Sequence, residues 1–149
     1  MTCDTYPWNA YAQTHVEAYL PDGEIKTLEQ VDGEVGEWPF SENEVWILTA
    51  CNPRSVQLTE TENADRHKAL GKQIEELGLP HFYTRGFDPK ESENQWSEDG
   101  YAVVGNYRDV VMKLAEEWEQ NAVFVWEPHL WTILGVLEKG ECKSGWRYV

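Results

Sequence analysis

The segment EVWILTACNPRS, residues 44–55, joins an unbroken apolar run to a polar stretch that contains proline. The run at 44–50 is typical of a strand that is buried on both faces, so we predict a central strand there. Hydrogen-bonding side chains follow at once, and the segment NADR adds another Asn and Arg shortly afterwards. These groups either tie the fold together or hold a ligand, and the sequence leaves both alternatives open.

The elements downstream of this strand alternate in an ordered way. From residue 44 we predict strand 44–50, helix 59–78, strand 81–87, strand 101–105, helix 106–120 and strand 122–127. This order is the split βαβ, or ferredoxin-like, pattern. Further strands are predicted at 14–20, 25–31 and 130–137, with loops at 32–44 and 88–100.

The predicted fold class is therefore α+β, in a single domain that covers residues 1–149. We predict a two-layer sandwich in which a mainly antiparallel sheet carries two helices on one face. Its core is ferredoxin-like, and extra strands lie N-terminal and C-terminal to that core.

This topology brings five polar segments to one edge of the sheet. They are CNPRS, ENADR, GFDP, WSED and QN, each next to the end or the start of a strand or helix at that edge. Asn63, Arg66 and Leu70 lie at i, i+3 and i+7, so the two polar residues continue the buried face of the first helix. An inward Arg at a helix N-terminus needs an anionic partner. Glu98, Asp88 and a ligand phosphate or carboxylate are the candidates.

Together these segments resemble a bacterial family known only as domain of unknown function 3293. The resemblance rests on TACNPRS, on ENADR followed by Leu70, and on GFDP, WSED and EQNAVF, and it runs from about Tyr11 to about Leu137. The family often has an aromatic residue or His where this chain has Cys51, which argues against Cys51 as a nucleophile. The resemblance implies a small bacterial or phage protein and brings no activity or mechanism with it.

The polar edge is the candidate functional site. We predict that it binds a small anionic metabolite, such as a nucleotide or sugar phosphate, through its arginines and the helix N-terminus. Glu98 is the candidate general base if a reaction takes place. The predicted ligand-binding residues are Thr49, Asn52, Arg54, Ser55, Asn63, Arg66, Trp96, Gln120 and Asn121.

Each of these residues also has a purely structural interpretation. Residues 52–55 are typical of a turn after a strand, and Asn121 is typical of a helix C-terminus. Arg66 is explained equally well by a buried ion pair, and Trp96 by a loop anchored in the core.

The charge of the chain bears on its partners. Asp and Glu number 27 against 12 Lys and Arg, which gives a formal net charge of −15. Nucleic acids and anionic membranes are bound through Lys and Arg, so neither is predicted as a partner. The alternative function is an acidic protein-interaction module, a regulator or inhibitor that binds a basic protein and catalyses nothing.

The remaining sequence features predict a cytoplasmic protein without a local metal motif. Cys3, Cys51, Cys142 and the four His residues lack the spacing of a local zinc motif, so we predict no metal and no cofactor. The N-terminus does not have the pattern of a signal peptide, and no apolar run approaches the length of a membrane helix. Disulfides are not expected in a reducing compartment.

Overall fold

The computed structural model describes residues 3–90 and 97–149. Within these residues it contains three α-helices, nine β-strands and one short 3₁₀ turn at Pro53–Ser55. The helices are α1 (Asn9–Ala12), α2 (Glu60–Glu76) and α3 (Arg108–Glu117). The strands are β1 (His15–Tyr19), β2 (Ile25–Gln30), β3 (Val45–Thr49), β4 (His81–Phe87), β5 (Ser97–Val104), β6 (Ala122–Glu127), β7 (Leu130–Gly135), β8 (Glu141–Ser144) and β9 (Trp146–Tyr148).

The strands form one antiparallel sheet that curls into a nearly closed barrel. Their order is β8-β7-β6-β3-β5-β4-β1-β2-β9, so β8 and β9 lie at opposite edges. Only Gly145 separates these two strands along the chain, which brings the two edges together in space. The backbone N–H of Trp146 donates to the Glu34 carbonyl at 3.0 Å. A Cβ on Gly145 would lie 1.9 Å from that carbonyl oxygen, so this close approach requires glycine.

The alternation of side chains along each strand divides the core into two parts. In β3, Val45 and Ile47 face the barrel interior, whereas Trp46 and Leu48 face outward beneath α2 and α3. The interior is largely aromatic at one end, where Trp126, Trp131 and Trp146 are almost fully buried. The outer cluster includes Leu70 and Ile74 of α2 and Val111 and Leu114 of α3. Both long helices therefore pack on the outer face of the sheet.

Helix α2 begins where its sequence predicts. Thr59 and Glu62 form a capping box, in which the Thr59 hydroxyl accepts from the Glu62 backbone N–H at 3.1 Å. Gly78 follows the helix with a φ of 69°, a conformation that favours glycine after a helix C-terminus. The cap places the first two turns of α2, with Asn63 and Arg66, beside the end of β3.

The α+β class and the mainly antiparallel sheet are confirmed, and the two-layer sandwich is corrected. The terminal strands do not simply extend the sheet: β9 pairs with β2, and this pairing curls the sheet towards closure. The loop predicted at 88–100 is also too long, because β5 begins at Ser97, where Ser97 pairs with Phe87. Helix α1 and strands β8 and β9 were not predicted.

The expectation of unpaired cysteines is wrong for two of the three. Cys3 and Cys142 form a disulfide, with their Cα atoms 5.6 Å apart, and Cys51 is buried and outside any disulfide among the described residues. Disulfides persist mainly in oxidising compartments, so this bond does not support the predicted cytoplasmic location, which stays a prediction. Among the described helices, none is both long enough and apolar enough to cross a membrane.

Candidate functional site

A cavity of about 800 Å³ opens at the end of the barrel where β3 ends, and we call it the barrel-mouth cavity. Its walls come from the inward-facing ends of five strands and from the N-terminal segment 6–14. Lining residues from the strands include Val16, Ile47, Thr49, Thr84, Gly86, Glu98, Gly100 and Phe124. A cavity of this size is in the range of sites for small organic ligands, which often lie in the mouths of β-barrels.

Small residues at the mouth create this space. The inward positions of β5 run from Glu98 through Gly100 and Ala102 to Val104, so the side chains after Glu98 become bulkier towards the filled end. Gly86 of β4 lies directly opposite Glu98 in the register. A Cβ on Gly100 would lie 2.6 Å from the Leu48 carbonyl oxygen, so a larger residue does not fit there. The strand sequences therefore leave the mouth open.

The predicted polar segments do meet at this end. Seven of the ten predicted site residues line the barrel-mouth cavity: Thr49, Asn52, Arg54, Ser55, Glu98, Gln120 and Asn121. Asn63 and Arg66 lie behind them and are not among its lining residues. Trp96 lies outside the described residues. The functional role of all ten residues stays a prediction.

Asn52 fixes the carboxyl group of Glu98. The Asn52 side-chain oxygen accepts from the Leu58 backbone N–H at 2.9 Å and from Asn63 Nδ2 at 2.8 Å. The backbone N–H of Asn52 in turn donates to Asn63 Oδ1 at 2.9 Å. Because both partners of the oxygen are donors, the amide orientation of Asn52 is unambiguous. Its Nδ2 therefore points to Glu98 and donates to Oε2 at 2.6 Å.

The surroundings of Glu98 favour its neutral form. Burial raises the pKa of the Glu98 carboxyl to about 7, and the hydrogen bond from Asn52 opposes part of that rise. A carboxyl group with a pKa near neutrality can both accept and release a proton at physiological pH. The geometry thus allows the general acid or base role predicted for Glu98.

Arg66 binds backbone carbonyl groups instead of the predicted anion. Its Nε donates to the Ala50 carbonyl at 2.6 Å and its Nη2 to the Trp118 carbonyl at 2.8 Å. The guanidinium also lies 5.0 Å from the centre of the Trp118 ring. The Trp118 carbonyl is at the negative end of the α3 dipole, which explains how the charge is stabilised without a carboxylate. Arg66 therefore clamps the end of β3 to the end of α3.

Thr49 and Gln120 also make structural contacts. The Thr49 hydroxyl donates to the Asp99 carbonyl at 2.6 Å and accepts from the Cys51 backbone N–H at 3.0 Å. Gln120 is buried, and its Nε2 donates to the Cys51 carbonyl at 3.0 Å. These bonds hold the polar segment after β3 against β5 and the end of α3. Thr49 and Gln120 therefore line the cavity with side chains that are already hydrogen-bonded to the protein.

The segment after β3 has a strained backbone. All four described non-glycine residues with positive φ lie at this edge: Asn52, Arg54, Ser55 and Glu119 have φ values of 48°, 54°, 61° and 58°. Such conformations cost free energy and are frequent at functional sites. The Arg54 backbone N–H donates to the Glu119 carbonyl at 2.7 Å, and Asn121 Nδ2 donates to Ser55 Oγ at 3.0 Å.

The sequence did not reveal the N-terminal wall of the cavity. Tyr6, Ala10 and Tyr11 line it, as does Glu138 from the turn after β7. Burial raises the pKa of the Tyr11 phenol, and the Glu98 charge adds to the rise, while Ser55 and Asn121 oppose it. Tyr11 marks the start of the predicted family resemblance, which was the single sequence signal for this segment.

In the part of the chain that the structure describes, no group of three or more His, Cys, Asp or Glu residues is placed to hold a metal ion.

Comparison with known proteins gives one match. The sequence model of the family described as "Protein of unknown function (DUF3293)" matches residues 48–123. This stretch runs from β3 to the start of β6 and covers nearly all of the polar segments on which the predicted resemblance rests, so the resemblance is confirmed there. Its predicted extension to about Tyr11 and about Leu137 stays a prediction. No curated protein and no solved structure matches the chain.

Proposed function

The chain belongs to the DUF3293 family, whose function is unknown, and we propose from its geometry that it binds a small organic molecule in the barrel-mouth cavity. Glu98 and Asn52 form the polar end of the site. Val16, Ile47 and Phe124 form its apolar walls.

One observation carries this proposal: a carboxyl group fixed by a fully engaged Asn faces a cavity of about 800 Å³. Fold stability does not require such an arrangement, because burial of a carboxyl group without a cation costs free energy. Polar groups that converge in a largely apolar cavity are the usual form of a ligand site. The strained segment at 52–55 supports the same assignment.

Catalysis by Glu98 is part of the proposal. Its pKa of about 7 suits a general acid or base, and Tyr11 lines the same cavity. The anionic ligand predicted from the sequence has less support. Arg66 was the predicted cation for that ligand, but its guanidinium already donates two hydrogen bonds to backbone carbonyl groups. Arg54 lies at the rim and pairs with Glu119 at 3.5 Å.

The test is a thermal-shift screen of the pure protein against nucleosides, nucleotides, sugar phosphates, carboxylates and amines. A ligand at a hundredfold excess over its Kd adds about 2.7 kcal/mol, which raises Tm by roughly 5 to 10 °C for a domain of this size. The variant Ala10→Trp places a large side chain at the exposed mouth and should abolish the shift. Ala69→Trp, at an exposed position of α2 away from the cavity, is the matched control. A shift that survives in Ala10→Trp would place the binding site elsewhere.

A basic protein partner is the second candidate function, and the net charge of −15 supports it. Binding of that kind depends on exposed carboxylates and weakens as salt screens them. A low-salt pull-down that responds to Gln substitutions at Glu60, Glu75 and Glu76 of α2, and not to Ala10→Trp, would favour this candidate over the ligand site.

The finer fold assignment is also a proposal. The central strand order β6-β3-β5-β4, together with α2 and α3 on one face, supports a ferredoxin-like core around which the terminal strands have curled. A solved structure of any family member that lacks the terminal strands would test it.

A further inference from the structure

We propose that the ligand of the barrel-mouth cavity is an organic amine or amidine with an apolar or aromatic body, which donates a hydrogen bond to Glu98. This inference rests on the proposed function and specifies the chemical class of its ligand. It differs from the anionic metabolite that the sequence suggests.

The fixed geometry of Glu98 favours a donor on the ligand when Glu98 is a carboxylate. Asn52 already donates to Oε2, and the other side-chain contacts of Asn52 prevent its amide from turning over. Among the described residues, no other side chain donates to the Glu98 carboxyl. Its second oxygen is thus available to a group inside the cavity, and a carboxylate accepts hydrogen bonds only.

The charges around the cavity favour a cation over an anion. Arg54 is the single basic residue among its described lining residues, and its side chain is 63% exposed and paired with Glu119. Glu98 and Glu138 are both lining carboxylates. A phosphate or carboxylate ligand beside these two side chains would meet like charges, whereas an ammonium group would meet opposite ones.

The walls specify the rest of the ligand. Val16 and Ile47 give an apolar surface, and Phe124, Tyr6 and Tyr11 give aromatic rings. An apolar or aromatic body buries its surface against these side chains. A cationic nitrogen close to the rings also gains from the negative face of the aromatic systems.

Binding of an amine should be coupled to the ionisation of Glu98. The Glu98 charge acts on Tyr11 of α1 and on Cys51 after β3, while Arg54 of the 3₁₀ turn and Glu138 after β7 are the other titratable or charged groups that line the cavity. The lining positions just before β1 and on β4, namely Thr14, Thr84 and Gly86, carry no charge. Only the carboxylate form of Glu98 pairs with an ammonium group, so amine affinity rises as pH increases through about 7.

The experiment compares benzylamine, benzyl alcohol and benzoate, which share one ring and differ in charge. Their Kd values are measured by NMR titration on the wild-type protein and on Glu98→Gln. Benzylamine should bind about 10-fold more tightly than benzoate, and Glu98→Gln should weaken benzylamine by about 10-fold, because a hydrogen bond to a charged group is lost. The Kd of benzyl alcohol should differ by less than about 3-fold between the wild type and Glu98→Gln. Its hydrogen bond joins two neutral groups in the variant and also in the wild type with Glu98 protonated.

A pH series separates the effect of the Glu98 charge on benzylamine binding from the effect of the side-chain contact itself. Wild-type affinity for benzylamine should be higher at about pH 8 than at about pH 5.5, and this difference should disappear in Glu98→Gln. Asn9→Ala, which removes a polar side chain from the mouth and leaves Glu98 intact, is the control for general changes of the wall.

The outcomes distinguish this inference from the proposed function. If benzoate binds as tightly as benzylamine, or Glu98→Gln leaves benzylamine unaffected, while Ala10→Trp still blocks the probes, the amine inference is overturned and the cavity remains a ligand site. If none of the three probes binds at high millimolar concentration, both the inference and the proposed function lose their support.

Discussion

Asn52 donates from Nδ2 to Oε2 of Glu98 at 2.6 Å, although 46 residues separate them in the chain. Asn52 follows β3 and Glu98 lies near the start of β5, so the bond forms only when these two strands pair. This bond also orients the carboxyl group that we propose as the recognition group of the barrel-mouth cavity. The stability of this edge of the barrel and the orientation of the proposed recognition group are thus linked through one pair of side chains.

Loss of the Asn52 side chain should destabilise the protein. Asn52→Ala leaves the Leu58 N–H and the Asn63 amide without their acceptor, and it places alanine at a φ of 48°. We expect the free energy of unfolding to fall by about 3 kcal/mol, measured by urea denaturation. The exposed Asn43→Ala is the control. A loss no larger than that of the control would mean that this network does not hold the edge together.

Glu98 should make the protein less stable as pH rises. Its pKa is raised from 4.5 to about 7 in the folded state, so between these values the folded protein keeps a proton that the unfolded chain releases. Stability is therefore lost as pH increases through this window, and the full penalty is present above about 7.

The variant Glu98→Gln should remove this penalty. It should be more stable than the wild type at about pH 8, by about 2 kcal/mol, and much closer to the wild type at about pH 4.5. Thermal denaturation across this pH range measures the difference. Glu138→Gln removes the same formal charge from the cavity wall and controls for net charge. Equal effects of the two variants at every pH would show that Glu98 has no special environment.

Arg66 separates the structural and the ligand-binding interpretations of this edge. Its two bonds to the Ala50 and Trp118 carbonyls predict that Arg66→Ala lowers the free energy of unfolding by about 2 kcal/mol. Lys68→Ala, at an exposed position of the same helix, should have little effect. A variant Arg66→Ala that keeps full stability and loses the binding of a phosphate compound would instead support the anion site predicted from the sequence.

The disulfide should contribute to stability and to the N-terminal wall of the cavity. It joins residues 139 positions apart and holds the segment before α1 against β8. Reduction should lower the free energy of unfolding by about 2 to 4 kcal/mol. The measurement is urea denaturation with and without dithiothreitol, and a double variant with Ser at positions 3 and 142 should not respond to the reductant. Two free thiols at these positions in the purified protein, detected by mass spectrometry, would contradict the pairing.

Local patterns were sufficient to predict the central elements. The apolar run of β3, the capping box of α2 and the period of α3 each depend on residues that are close in sequence. The topology they imply correctly placed Asn52, Glu98 and Gln120 at one edge. This part of the site was predictable because strand ends and helix ends follow from the order of elements.

Closure of the barrel was not predictable in the same way. It depends on the pairing of β2 with β9, in which Leu28 lies opposite Tyr148. These residues are far apart in the chain, and the short β9 segment WRY is too brief to show a strand period. The two-layer prediction failed because nothing local in the sequence indicates that the edges of the sheet meet.

The inward direction of Glu98 was missed for a related reason. The polar residues at 97–99 are typical of a loop, yet they continue β5 because they pair with residues 85–87 of β4. Strand alternation then places Glu98 on the same face as Gly100 and Ala102. The pairing of β5 with β4 outweighs the local preference of these residues for a loop. As a result Glu98, the predicted catalytic residue, lines the cavity.

The measurement that tests the account most directly is the titration of the Glu98 carboxyl carbon by NMR, with and without benzylamine. We predict a midpoint of about 7 in the free protein and a lower midpoint with benzylamine bound, because the ammonium group stabilises the carboxylate. An ordinary midpoint near 4.5 that benzylamine does not change would contradict both the apolar surroundings of Glu98 and its role as the recognition group.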